Sequence, residues 1–146
     1  MSKHLLRPAF AGLACSILFA VPSLAETVAF KTEMSAKDEV PPNDSRGNGQ
    51  VTATYDSATK KLSWKGDYSG LTGPAIMAHF HGPGDPGKNA PVVIPIFTSA
   101  GAAKTPFEGS ATLTDDQAKQ LLSGEWYVNV HTEAHKPGEI RGQLKK

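Results

Sequence analysis

The sequence predicts an all-β protein, a Greek-key-like β-sandwich or barrel with one short helix. Apolar residues recur at every second position in short runs, the period of a half-buried strand. Clusters of Gly, Pro, Asn and Asp interrupt these runs before they reach helical length. Only one segment carries a helix-start signal.

Lys3, His4 and Arg7 open the chain and precede an uncharged apolar stretch, Ala9 to Val21. Pro22 and the small residues of Ser23-Leu24-Ala25 follow, which is the form of a secretion signal cleaved after Ala25. The stretch is shorter than the ~20 residues of a membrane span. Residues 1–25 are therefore expected to be a signal peptide and 26–146 a single domain. Cys15, the only cysteine, falls in the signal. The processed chain then has neither a disulfide nor a thiolate, so any metal site must use nitrogen and oxygen.

Val28, Phe30, Thr32 and Met34 alternate with Ala29, Lys31 and Glu33 in a first strand. Asp38-Glu39-Val40-Pro41-Pro42-Asn43 must be a loop, because consecutive prolines cannot donate to a ladder. Val51, Ala53 and Tyr55 form the next strand. The turn Asp56-Ser57-Ala58-Thr59 leads into Leu62, Trp64 and Tyr68 and completes a hairpin. A bend over Gly70 to Pro74 precedes a strand from Ile76 to His81. Gly82-Pro83-Gly84-Asp85-Pro86-Gly87 is a breaker run. Pro91 to Phe97 is apolar and β-branched, and its prolines suit an edge strand. Another strand runs from Phe107 to Leu113.

The helix signal is Thr114-Asp115-Asp116-Gln117, a capping box with acids in the first turn. Ala118, Leu121 and Leu122 supply the apolar side, and Gly124 ends the helix. Strands over Glu125–Thr132 and Glu139–Leu144 complete the domain.

The formal charge is +1, and loss of Lys3 and Arg7 would bring it to −1. No polybasic surface is encoded, which argues against a nucleic-acid partner, and no membrane association is expected once the signal is removed. Gly-x-Ser-x-Gly, phosphate-loop and His-Glu-x-x-His patterns are all missing from the sequence, so common hydrolase classes find no support.

The chemistry gathers in the histidines. His79 and His81 are two apart on one strand and so point the same way. Ala78 and Phe80 point to the core side. On the later strand Trp126, Val128 and Val130 face the core, and Tyr127, Asn129 and His131 face the other way. His79, His81 and His131 are thus expected off the core, sharing a surface cleft near the loops. Three neutral imidazoles suit copper, which heads the divalent affinity order, with zinc as the alternative. His135 lies in the turn Glu133 to Gly138 and is a possible further ligand; an ordinary loop histidine is the alternative. Glu139 and Arg141 share a face of the last strand. Arg141 is a candidate guide for a small anion, against a structural ion pair or backbone clamp.

Several segments together resemble the CHRD domain, named for its occurrence in chordin. They are Asp38-Glu39-Val40-Pro41-Pro42, Gly70-Leu71, Ala78-His79-Phe80-His81-Gly82-Pro83, Leu121 to Gly124, Tyr127-Val128-Asn129-Val130-His131-Thr132 and Pro137 to Leu144. The resemblance spans nearly all of the chain after Ala25. It implies a periplasmic or secreted all-β domain, with His79, His81 and His131 at motif positions and His135 outside them. A looser similarity, at the level of the site, is to copper–zinc superoxide dismutases. Those also use a His-x-His strand and a later histidine for copper. This chain lacks the zinc loop with its bridging histidine and the disulfide cysteines, so the similarity implies a copper-only site. The leading expectation is a copper-binding protein that dismutes superoxide. The alternatives are a copper buffer or chaperone, and a non-catalytic extracellular interaction module that docks through the Glu39–Pro42 loop and the Pro91–Phe97 edge.

Overall fold

The computed structural model describes residues 26–98 and 104–146. The expected signal peptide, Cys15 included, lies outside the described residues. Eight strands form one antiparallel sheet: β1 (Thr27–Ser35), β2 (Asn48–Asp56), β3 (Lys61–Ser69), β4 (Ala75–His81), β5 (Val92–Phe97), β6 (Phe107–Thr112), β7 (Tyr127–Thr132) and β8 (Ile140–Gln143). The helix α1 (Asp115–Leu122) lies between β6 and β7. Among the described residues the fold is all-β with a single short α-helix, as the sequence predicts.

Local chemistry accounts for the elements. The β2–β3 hairpin turns on Asp56, whose Oδ1 accepts from the Thr59 N–H and hydroxyl, both at 2.8 Å. Thr114 caps α1: its hydroxyl accepts from the Gln117 N–H and the Gln117 side chain returns to the Thr114 N–H. Gly124, at φ +78°, lets the chain leave the helix in a left-handed conformation. Glu125 still donates to Gln120 at 3.1 Å, so β7 starts two residues later than the alternation suggests.

The strand order is β5-β4-β7-β8-β1-β2-β3-β6. Pro91 and Pro95 flank or occupy β5, which is an edge strand as expected. The sheet is strongly curled. Trp64 on β3 and Phe80 on β4 lie five places apart in that order, about 24 Å in a flat sheet. Their rings nevertheless meet edge to face with centroids 5.1 Å apart. The two edges also approach, with Phe97 of β5 and Phe107 of β6 6.2 Å apart between centroids. The result is a nearly closed barrel whose interior holds Phe30, Met34, Val51, Leu62, Trp64, Phe80, Val128, Val130 and Ile140.

The outer face of β4, β7 and β8 differs from expectation. All six residues of β7 are buried, so this strand is covered on both sides. The loop between β4 and β5 folds over it, tied by Gly84 N–H to Glu125 O at 2.8 Å. The turn between β7 and β8 covers the far end. At Gly142 a Cβ would collide with the Glu33 carbonyl and the Thr32 hydroxyl, so glycine permits the close approach of β8 to β1.

Candidate metal centre

β4 and β7 pair antiparallel, with Met77 opposite His131, His79 opposite Asn129 and His81 opposite Tyr127. His79 and His131 are therefore diagonal neighbours on one face, within reach of long side chains. Register irregularities between β4 and β5 fall at Ala78/His79 and Phe80/His81, where bulges re-aim side chains.

The three histidines meet. One ring nitrogen from each of His79, His81 and His131 lies within 4.8 Å of the others. His79 Nδ1 and His131 Nε2 are 3.1 Å apart. Two nitrogens bound tetrahedrally to one ion at 2.0–2.1 Å would stand about 3.3 Å apart, so this pair needs little movement to share a metal.

The outward-facing nitrogens are already used. His131 Nδ1–H donates to Lys136 O at 2.8 Å, and His81 Nδ1 lies 2.9 Å from Ala90 O. The bond to Lys136 fixes the His131 tautomer and leaves its Nε2 a lone pair, the arrangement a ligating histidine requires. The carbonyls come from the two covering loops, so loop closure and ligand orientation are one event.

Burial is the main departure from the sequence expectation. His79, His81 and His131 face away from the hydrophobic core as predicted, but they are only 8%, 8% and 6% exposed. They occupy a covered polar layer where an open surface cleft was expected. The reason is long-range: loops on either side close over the outer face.

Burial also sets their protonation. It pushes His79 down to about 4, helped by the charges His131 and His81 would carry. His81 is lowered by burial, with Arg141 contributing, despite its bonds to Ala90 and Asn129. His131 is lowered by burial against the bond to Lys136. All three are neutral at pH 7 and available as ligands.

Arg141 packs on Tyr127, whose ring also stacks on His81, and does not pair with Glu139. Its guanidinium sits 3.4 Å over the Tyr127 ring and donates to Lys88 O at 2.6 Å and Asn89 Oδ1 at 3.2 Å. The clamp alternative describes this geometry: Arg141 holds the β4–β5 loop down. Glu139 turns elsewhere, accepting from Ser45, Thr132 and both the N–H and hydroxyl of Thr72 at 2.6–2.8 Å. His135 is half-buried in the β7–β8 turn and lies outside the group of three.

Two further residues belong to the site, and the sequence pattern gave them no role. Asn129, opposite His79, places its amide 3.0 Å from His81 Nε2. Glu39, from the diproline loop, is 3% exposed. Its carboxyl faces the Val40 N–H and the Asn129 amide. It also packs on Gly138, where a Cβ would collide with it. The signal was the match of both segments to the resemblance motifs, which marks positions without stating their partners.

The family model of the CHRD domain matches residues 30–144, from the first strand through the residue after β8. The chain belongs to the CHRD family. In this CHRD domain the matched span contains all of the barrel but the first three residues of β1, and all three histidines. No curated protein and no solved structure matches the chain.

Proposed function

We propose that this CHRD protein is a periplasmic or secreted copper-binding protein that holds the ion through His79, His81 and His131 and dismutes superoxide there. The convergence of three neutral ring nitrogens within 4.8 Å supports this reading. An all-imidazole site favours copper over other divalent ions, with zinc the competitor for the same atoms. Dismutation would consume two superoxide ions and two protons and yield dioxygen and hydrogen peroxide, with copper alternately reduced and reoxidised. Arg141 supplies positive charge one aromatic ring away from His81, and a cation near the site favours an approaching anion.

A second reading, a copper buffer or chaperone without turnover, draws support from the low exposure of the ligands. A third is the non-catalytic interaction module. It has the exposed Val92 on the β5 edge, and it predicts no metal at all.

The deciding experiment measures metal content of Glu26–Lys146 purified from a periplasm, then titrates it with copper and zinc. One copper per chain is expected, lost in the His79→Ala, His131→Ala double variant. Unchanged stoichiometry in that variant would reject the site. Copper binding without superoxide turnover would select the buffer reading.

A further inference from the structure

His81 stands between two hydrogen-bond partners that, in the arrangement described, are both oxygens: Ala90 O beside Nδ1 and Asn129 Oδ1 beside Nε2. A neutral imidazole has one N–H, and an oxygen without hydrogen cannot donate. Burial and the nearby Arg141 both disfavour a doubly protonated His81. The conflict disappears if the Asn129 amide is turned over, so that Nδ2–H donates to His81 Nε2 and Oδ1 faces Glu39. Either orientation of an amide has the same shape. Asn129 Oδ1 then needs a donor, and the Glu39 carboxyl can serve only when protonated.

Glu39 is built for that state. Its Oε1 has no hydrogen-bond partner among the described residues, and the residue is 3% exposed. Burial raises it to about 7, against the opposing effects of the Val40 N–H, Arg141 and Asn129, and with Asp38 adding to the rise. The turn packed on it carries Glu133 and Lys136, paired with each other at 3.3 Å, and His135. Every donor then meets an acceptor in one direction: Glu39 O–H to Asn129 Oδ1, Asn129 Nδ2–H to His81 Nε2, and His81 Nδ1–H to Ala90 O.

We propose that Glu39 and Asn129 are positioning residues that couple metal capture at His81 to release of one proton from Glu39. This rests on the reading of His79, His81 and His131 as ligands. An ion that takes the His81 Nε2 lone pair displaces the Asn129 N–H. The amide turns, its Nδ2–H donates to Glu39, and the Glu39 O–H bond breaks with its proton passing to solvent. The carboxylate keeps the electron pair, and no redox change is involved. The histidines contribute no protons at neutral pH because they are already neutral.

Calorimetric titration with copper(II) in two buffers of different ionisation enthalpy reads the proton count. At about pH 6 the wild type should release about one proton per ion, falling toward none as the pH rises through 7. Glu39→Gln should release about one proton fewer at the same pH, and its affinity should fall less steeply than that of the wild type on acidification. Equal release by both proteins would overturn the relay. So would a wild-type release that does not change across pH 7, a result that needs no variant.

If copper does not bind, the ligand reading fails, and the relay is then judged on the metal-free protein. A protonated-carboxyl infrared band lost in Glu39→Gln, with His81 in the Nδ1–H tautomer by nitrogen NMR, would support it. A missing band, or His81 protonated at Nε2, would overturn it.

Discussion

His81 stacks on Tyr127 with ring centroids 4.7 Å apart and planes 1° from parallel. Arg141 lies 3.4 Å from the same ring. Both contacts are face-on, and β4 and β8 flank β7 on opposite sides, so the phenol ring is sandwiched between a candidate ligand and the cation. Its hydroxyl reaches the loop as well, accepting from Ala90 N–H at 3.1 Å.

Tyr127→Ala should cost about 3–5 kcal/mol, the range for deleting a buried aromatic ring. Tyr127→Phe keeps the sandwich and loses the two hydrogen bonds of the hydroxyl to Ala90, so it should cost about 1–2 kcal/mol. Urea denaturation at fixed pH measures both. Equal costs would mean that the hydroxyl, and not the sandwich, matters.

Arg141→Lys retains the charge but not the planar fork or the stack. The amides of Lys88 and Ala90, now bonded to Asp85 O and the Tyr127 hydroxyl, should exchange with solvent at least tenfold faster. Strands β1 and β2 should be unaffected. Hydrogen exchange read by NMR resolves the two regions, and a uniform change would show global destabilisation instead of a released loop.

Stability should respond to pH in two opposing ways. Glu39 is raised from 4.5 to about 7. Its contribution is complete below about pH 4.5 and is lost as pH rises through 7. His79 is lowered from 6.5 to about 4; its contribution is complete above pH 6.5 and is lost as pH falls through 4. Each shift corresponds to about 3 kcal/mol. Between pH 4.5 and 6.5 the two effects largely cancel. In Glu39→Gln only the histidines remain, so unfolding free energy should climb more steeply over that window. Denaturation at three pH values compares the slopes; identical slopes would contradict the assignment.

Glu139→Gln tests the other buried carboxylate. Burial pushes Glu139 up, but bonds from Ser45, Thr132 and Thr72 together hold it below the usual carboxylate range. A glutamine places an NH2 group among these donors, and a loss of about 2–4 kcal/mol is expected. Copper stoichiometry should persist at temperatures where the variant remains folded, because Glu139 holds the Asn43–Thr72 side of the barrel and not the histidines.

Much of the site was legible because strand periodicity is local. Two residues per repeat sends His79 and His81 together, opposite Phe80, and sends His131 opposite Val130. The diproline placed a loop at Glu39, and the capping box placed α1. Burial of the histidines was not legible, since it depends on the Gly82–Pro91 and Glu133–Gly138 segments folding over β7. Irregular loops carry no period from which a direction can be read.

The sequence alone thus determined the strand pattern, the lone helix, and a face bearing three imidazoles. Tertiary structure decided that those imidazoles converge, that Lys136 O fixes the tautomer of His131, and that Arg141 clamps a loop where an ion pair with Glu139 was the alternative. It also brought Glu39 to Asn129 across 90 positions of chain. Contacts of that kind arise from the curl of the sheet and the closure of its loops, which only the assembled barrel specifies.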